Sequence, residues 1–294
     1  MLCPISDTTY LEILQQSDPL TLKASAIIID ELSMGVSLLS TQERLQFEIL
    51  HFIEKTTKGD DFVHASDIFV WSKVSDILGL THPVTNSFSS EEQLVIQKSF
   101  FDHMWKMSFA DIIEIMTKED IARKTKPNDI SDTLNLNKTR YINQNNSFEQ
   151  LFRSEFAGIA DLYNPLFENA FVYLFEKKMG RKPSKHERIE SESLKISNLI
   201  YKLFEKNKLG TYLPSLVIGA GLHALVRHDN RRKFKANDMP DFHHAMAALP
   251  YYNYFFTERN LRDLVTRKII SFDAKYRCRT LSAPCKIVEE LSRL

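Results

Sequence analysis

Only eight glycines punctuate 294 residues, and this scarcity is the tightest constraint on the fold. An all-β domain needs turn signals roughly every ten residues, usually with glycine among them. This chain must therefore spend most of its length in helices. Apolar spacing agrees: after Pro19, which suits a first helical position, Leu22, Ala26, Ile29 and Leu32 predict a helix to about Met34. Ser40–Glu43, Ser89–Glu92 and Ser184–Glu187 read as capping boxes, in which side chain and backbone satisfy each other's hydrogen bonds at a helix start. The first helix is expected to run to about Glu54.

Phe148, Leu151, Phe152, Phe156 and Ile159 open another helix, expected to last to about Lys178, where Gly180 stops it. Ile196, Leu199, Ile200, Leu203 and Phe204 mark the next, which Gly210 is expected to close. Leu216–Val226 is one more apolar helix. Between Thr125 and Ser147 six asparagines and scattered charges break the periodicity, and a long loop is expected.

The two ends read differently. Leu2–Ser6 is a short apolar run with strand character, and Asp7–Gln16 a helix capped by Ser6 or Asp7. Tyr251–Thr257 is a continuous aromatic run, expected as a strand buried on both faces. Leu261–Lys268 reads as a helix and Tyr276–Leu281 as a second strand. Ala283–Leu294 reads as a terminal helix with Ile287, Val288 and Leu291 inward. Strand, helix, strand, helix points to a small parallel sheet. The expected class is α/β but predominantly helical.

Hydrophobic content of 43% with 26% charge implies a soluble globular chain. Nowhere do eighteen apolar residues run uninterrupted, so no membrane partner is expected, and the first residues lack the pattern of a signal peptide. Cys3, Cys278 and Cys285 form neither a disulfide framework nor a zinc motif, which fits a cytoplasmic location. Zero net charge hides an asymmetry: residues 1–60 hold nine acids against four Lys/Arg, and residues 227–294 hold fourteen Lys/Arg against eight acids. That split suggests an anionic partner for the C-terminal part, or two faces of one protein that neutralise each other. No GxSxG elbow occurs, and Gly219-Ala220-Gly221 lacks the third glycine of a phosphate loop.

Chemistry concentrates in Asn237–His244 and the segment that follows. Asp241 opens an apolar helix, and Glu258 sits just past the aromatic strand. In a parallel sheet this order brings both carboxylates to the carboxyl edge, where open α/β sheets bind ligands. Each acid also has a plainer reading. Asp241 is a first-turn acid facing a helix dipole, Glu258 a surface partner for Arg259 and Arg262, and Glu12 an exposed helical acid. His243 and His244 point about 100° apart on a helix and do not make a shared metal site. Arg227, Arg231, Arg232, Lys233 and Lys235 either grip phosphates or form a solvated loop.

Three groups of residues carry a resemblance. They are Cys3-Pro4-Ile5-Ser6 with Tyr10-Leu11-Glu12; Asn237-Asp238 with Asp241, Leu249-Pro250-Tyr251 and Thr257-Glu258; and Cys278-Arg279-Thr280-Leu281. Their order resembles the PIN-domain nucleases, more narrowly bacterial PIN-like proteins with large helical insertions, over about a third of the chain. The resemblance implies a PIN-like three-layer α/β core from residues 1–58 and 227–294, interrupted by a helical insertion over 59–226. It also implies a Mg²⁺- or Mn²⁺-dependent endoribonuclease, with a toxin or defence role and a protein partner or antitoxin.

Glu12, Asp241 and Glu258 take the positions of catalytic metal ligands, and Asp238 is a further candidate ligand. Asn253, Thr257 and Ser6 would stand behind them. RNA would lie on Arg227, Arg231, Arg232, Lys233 and Lys235. The chain departs from the family where Glu258 replaces the usual Asp. The family's first strand, which ends in a metal-binding Asp, would precede Leu2–Ser6. The alternative expectation is a catalytically inactive PIN-like or helical protein that serves as a regulatory or scaffold module.

Overall fold

A computed structural model of the chain describes residues 1–58, 70–78, 87–117, 119–121, 129–141, 147–187, 200, 203, 204, 206 and 208–293. The described chain is predominantly helical, with two small two-stranded sheets. It divides into two compact units, one from Met1–Arg44 and Val70–Asn128, the other from Leu45–Phe69 and Asp129–Leu294.

In the first unit, Ser6 caps the helix Asp7–Leu14 by accepting from the Thr9 N–H. The expected strand at Leu2–Ser6 shrinks to a single parallel bridge between Ile5 and Ser37. Ser37 belongs to β1 (Val36–Leu38), which pairs antiparallel with β2 (Trp71–Lys73). The helices Pro19–Ser33 and Phe109–Ile115 close over a core of Ile5, Tyr10, Leu14, Ala26, Val74, Phe109 and Ile112. Asp30 fastens one helix to the other by accepting from the N–H groups of Phe109 and Ala110 at 2.8 and 2.9 Å. These are donors a helix start leaves unsatisfied.

The second unit is built around the helix Pro214–His228, buried over most of its length, as a helix apolar on nearly all sides must be. Phe148–Leu162 and Asp238–Tyr251 pack on it. Gly221 permits one close approach: a Cβ there would stand 2.5 Å from the ring of Phe272. The chain then forms β3 (Tyr254–Phe256), the helices Arg259–Val265 and Phe272–Tyr276, and β4 (Arg279–Leu281). β3 and β4 pair in parallel, Tyr254 opposite Arg279 and Phe256 opposite Leu281, so the expected small parallel sheet is present as one pair.

Several expected boundaries move. The helix from Phe148 ends at Leu162, and a new one runs Asn164–Met179, because Pro165 lacks an N–H and its ring crowds the preceding turn. Most of the helix expected around Ile196–Phe204 lies outside the described residues; Gly210 itself lies inside the short helix Leu209–Tyr212, against the Lys275 ammonium and the Tyr276 hydroxyl. Ser131–Arg140 is helical where a loop was expected. Tyr251 ends a helix instead of starting a strand, and in β3 only Phe255 is buried. In the terminal helix Pro284–Leu291, Val288 is 63% exposed while Glu290 is buried. Arg279 and Tyr254 both reach Glu290, so the polar residue turns inward.

Candidate functional site

The segment from Asp238 to Glu258 folds back on itself. Its helix ends at Tyr251, and β3 starts at Tyr254 after a two-residue turn. Phe242, Leu249 and Phe255 share one apolar core, which holds helix and strand together. Asp241 lies about 15 Å before the turn at helical rise, and Glu258 about 16 Å after it at strand rise. The Thr257 N–H donates to the Leu281 carbonyl at 3.0 Å, so parallel pairing persists to the residue before Glu258. At the opposite end the Asn253 carbonyl accepts from the Arg279 N–H.

Asp241 is half-buried in the first helical turn, while Glu258 and Asn253 are exposed. Glu258 is the N-cap residue of Arg259–Val265, yet its carboxylate does not cap that helix. Asp238 is engaged otherwise: it is buried, pairs with Arg232 at 2.8 Å and accepts from the Lys235 N–H at 2.9 Å. Glu12 is exposed on the helix Asp7–Leu14 of the first unit, and Ser6 in the same unit is the buried cap. Among the described residues no group of three or more His, Cys, Asp or Glu side chains is arranged to hold a metal ion.

The basic stretch divides in two. Arg231, Lys233 and Lys235 are exposed, whereas Arg227 pairs with Glu155 and Arg232 with Asp238. Between the exposed lysines Phe234 turns inward, its N–H and carbonyl both hydrogen-bonded to the amide of Asn135 at 2.8 and 2.9 Å.

Beside Phe234 lies a cavity of about 360 Å³ lined by Lys138, Glu155, His223 and Arg227 among others. The Lys138 ammonium donates to the carbonyls of Val226, Asp229 and Arg232, two of them at 2.6 Å, where the helix Pro214–His228 ends. Burial holds that ammonium's pKa below its usual value. Burial likewise lowers the His223 pKa, against the opposing pull of Glu155, whose Oε2 is 3.7 Å from Nδ1.

The sequence reading missed the grouping of Glu155, His223, Arg227 and Lys138. One signal was present: His223 and Arg227 stand four apart, hence on one face, at the end of an otherwise apolar helix.

No protein-family model matches the chain, and no curated protein or solved structure matches it. Among the described residues no helix is long and apolar enough to cross a membrane.

Proposed function

We propose that the protein is a PIN-like endoribonuclease that cleaves RNA phosphodiesters with a Mg²⁺ or Mn²⁺ ion held by Asp241 and Glu258. The observation that carries this reading is the return of the chain from the Asp241 turn, through the helix, to Glu258 beyond the parallel pair. The donor set suits the ion: Mg²⁺ prefers oxygen, keeps several waters and needs only one or two carboxylates besides substrate phosphate. A preformed cage of three side chains is therefore not required. Bound there, the ion would acidify water and offset phosphoryl charge. The three-layer PIN arrangement belongs to the same proposal, with the β3–β4 pair and its helices as one part of that core.

Arg231, Lys233 and Lys235 support the RNA assignment, since exposed cations a few residues before Asp241 in the chain meet phosphates without reading sequence. The test is cleavage of single-stranded RNA with Mg²⁺, with Mn²⁺ and with chelator. Wild type should cut only with metal, and Asp241→Asn and Glu258→Gln should each lower the rate by about a hundredfold or more. Equal cleavage by both variants would overturn the proposal.

A second reading, an interaction module, is favoured by a different observation. The helix Ser90–Met104 buries no residue, although Leu94, Val95 and Phe100 are 65%, 69% and 40% exposed. Such a face suits a second copy of the chain. Light scattering should then show a dimer that Val95→Glu with Phe100→Glu dissociates; a monomeric wild type rejects it.

A further inference from the structure

The cavity beside Phe234 has little cationic capacity to spare. Lys138 spends all three N–H bonds on backbone carbonyls, and the charge of Arg227 faces Glu155. A phosphate entering here would find no free ammonium N–H on Lys138, and the Arg227 guanidinium already faces a carboxylate, so the cavity has little with which to grip an anion.

What it offers are neutral donors and acceptors. Asn137, Tyr141 and Ser154 line its solvent-exposed side, and among the described residues no hydrogen bond involves their side chains. Arg227 keeps further N–H groups beyond the one given to Glu155, and a carboxylate accepts more than one bond. Phe234 and His223, with ring centroids 5.5 Å apart, add aromatic walls. Mixed edge donors and acceptors next to aromatic surface match a nucleobase, which has a π-face to stack and a polar edge to read. The volume, about 360 Å³, is within the range for small-ligand sites. Outside the cavity, exposed Arg231, Lys233 and Lys235 flank Phe234 in sequence.

We infer that this cavity is a nucleobase pocket, filled by a base of single-stranded RNA whose backbone lies on Arg231, Lys233 and Lys235. The inference rests on the RNA part of the proposed function and is independent of its metal chemistry. It makes the pocket a determinant of which nucleotide the protein prefers.

Gly158 supplies a clean test. It lines the exposed side of the cavity, and a Cβ added there meets nothing within 4 Å, so Gly158→Leu adds bulk at the cavity mouth from a position where its Cβ has room. Binding of short labelled poly-A, poly-C and poly-U strands is measured by fluorescence anisotropy in chelator, and binding of free nucleosides by calorimetry. Thermal melting confirms that each variant folds. Wild type should discriminate among the strands, and Gly158→Leu and Asn137→Ala should each weaken the preferred one about tenfold, the size of one lost base stack.

Equal binding of all strands by wild type and Gly158→Leu would overturn the pocket and leave the RNA reading standing. Saturable nucleoside binding that Gly158→Leu abolishes, with no RNA binding by wild type, would keep the pocket for free nucleosides and overturn the RNA reading. Binding of neither overturns both.

Discussion

Glu48 and Ser215 stand 167 positions apart in the chain and are joined by two hydrogen bonds. The Ser215 N–H donates to Glu48 Oε2 at 3.1 Å, and its hydroxyl donates to Oε1. Both residues are fully buried. Ser215 is in the first turn of Pro214–His228, so the carboxylate satisfies a donor the helix leaves open and faces the positive end of its dipole. The Tyr251 hydroxyl adds a third bond at 2.6 Å. A buried charge is tolerated when it is this well compensated.

Removing that carboxylate takes an acceptor from three donors, of which the Ser215 hydroxyl keeps the Met246 carbonyl at 3.2 Å. Glu48→Ala should lower stability by about 3 kcal/mol, and Glu48→Gln, which replaces one acceptor oxygen by a donor, by about 1–2 kcal/mol. Urea titration followed by circular dichroism measures both. Equal midpoints for wild type and Glu48→Ala would mean that water enters and replaces the carboxylate.

Lys138 holds the other end of the same helix. Methionine keeps its length but offers no N–H, so Lys138→Met should take a donor from three carbonyls, of which that of Asp229 keeps the Arg232 N–H, and cost about 2–3 kcal/mol. Hydrogen exchange should speed up first in the last turn of Pro214–His228. An exchange pattern unchanged from wild type would contradict this anchoring role.

Two glycines should respond in opposite directions. Gly221→Ala drives a methyl into the Phe272 ring, which is 2% exposed and has little room to yield, so it should cost about 1–3 kcal/mol. Gly158→Ala meets open space on a helix and should gain about 0.5–1 kcal/mol. Melting temperatures that move the same way for both would refute the packing argument.

Burial keeps the His223 imidazole neutral in the folded protein below its usual titration range. The unfolded chain takes up that proton once pH falls below 6.5, the ordinary value. Unfolded molecules then bind more protons than folded ones, so stability falls with pH until the lowered folded value is reached. Glu155 and Asp238 oppose the shift, and His243 and Arg227 add to it. Urea midpoints should drop as pH falls through 6.5, and His223→Gln should flatten that slope. An equally steep slope in the variant would assign the effect to other groups.

Legibility followed the range of the interactions. The capping boxes at Ser40, Ser89 and Ser184 all form, because each needs partners only three residues apart. Gly180 ends its helix at φ 68°, a conformation glycine adopts without strain. The stretch around Ser131–Arg140 defeated local reading. Its asparagines favour turns, but Asn135 and Lys138 bind backbone groups 88 to 99 positions away, and those bonds secure the helix. The placement of the candidate acids along the chain is local in the same way: Asp241 falls in the first turn of a helix and Glu258 follows a strand. The engagement of Asp238 with Arg232 was not legible, since it depends on how the intervening turn folds.

The amino-acid order alone determined the helical class, the caps, and the succession of strand, helix and strand near the C-terminus, though not the extra helix Phe272–Tyr276 before the last strand. Those features depend on periodicity and on contacts within one or two turns of chain. Tertiary structure decided which polar groups are buried and what they bind: Glu48 with Ser215 and Tyr251, Lys138 with three carbonyls, Glu155 with Arg227, and Glu290 in place of Val288. A buried polar group must find partners wherever the chain brings them, and these partners come from segments that no local pattern connects.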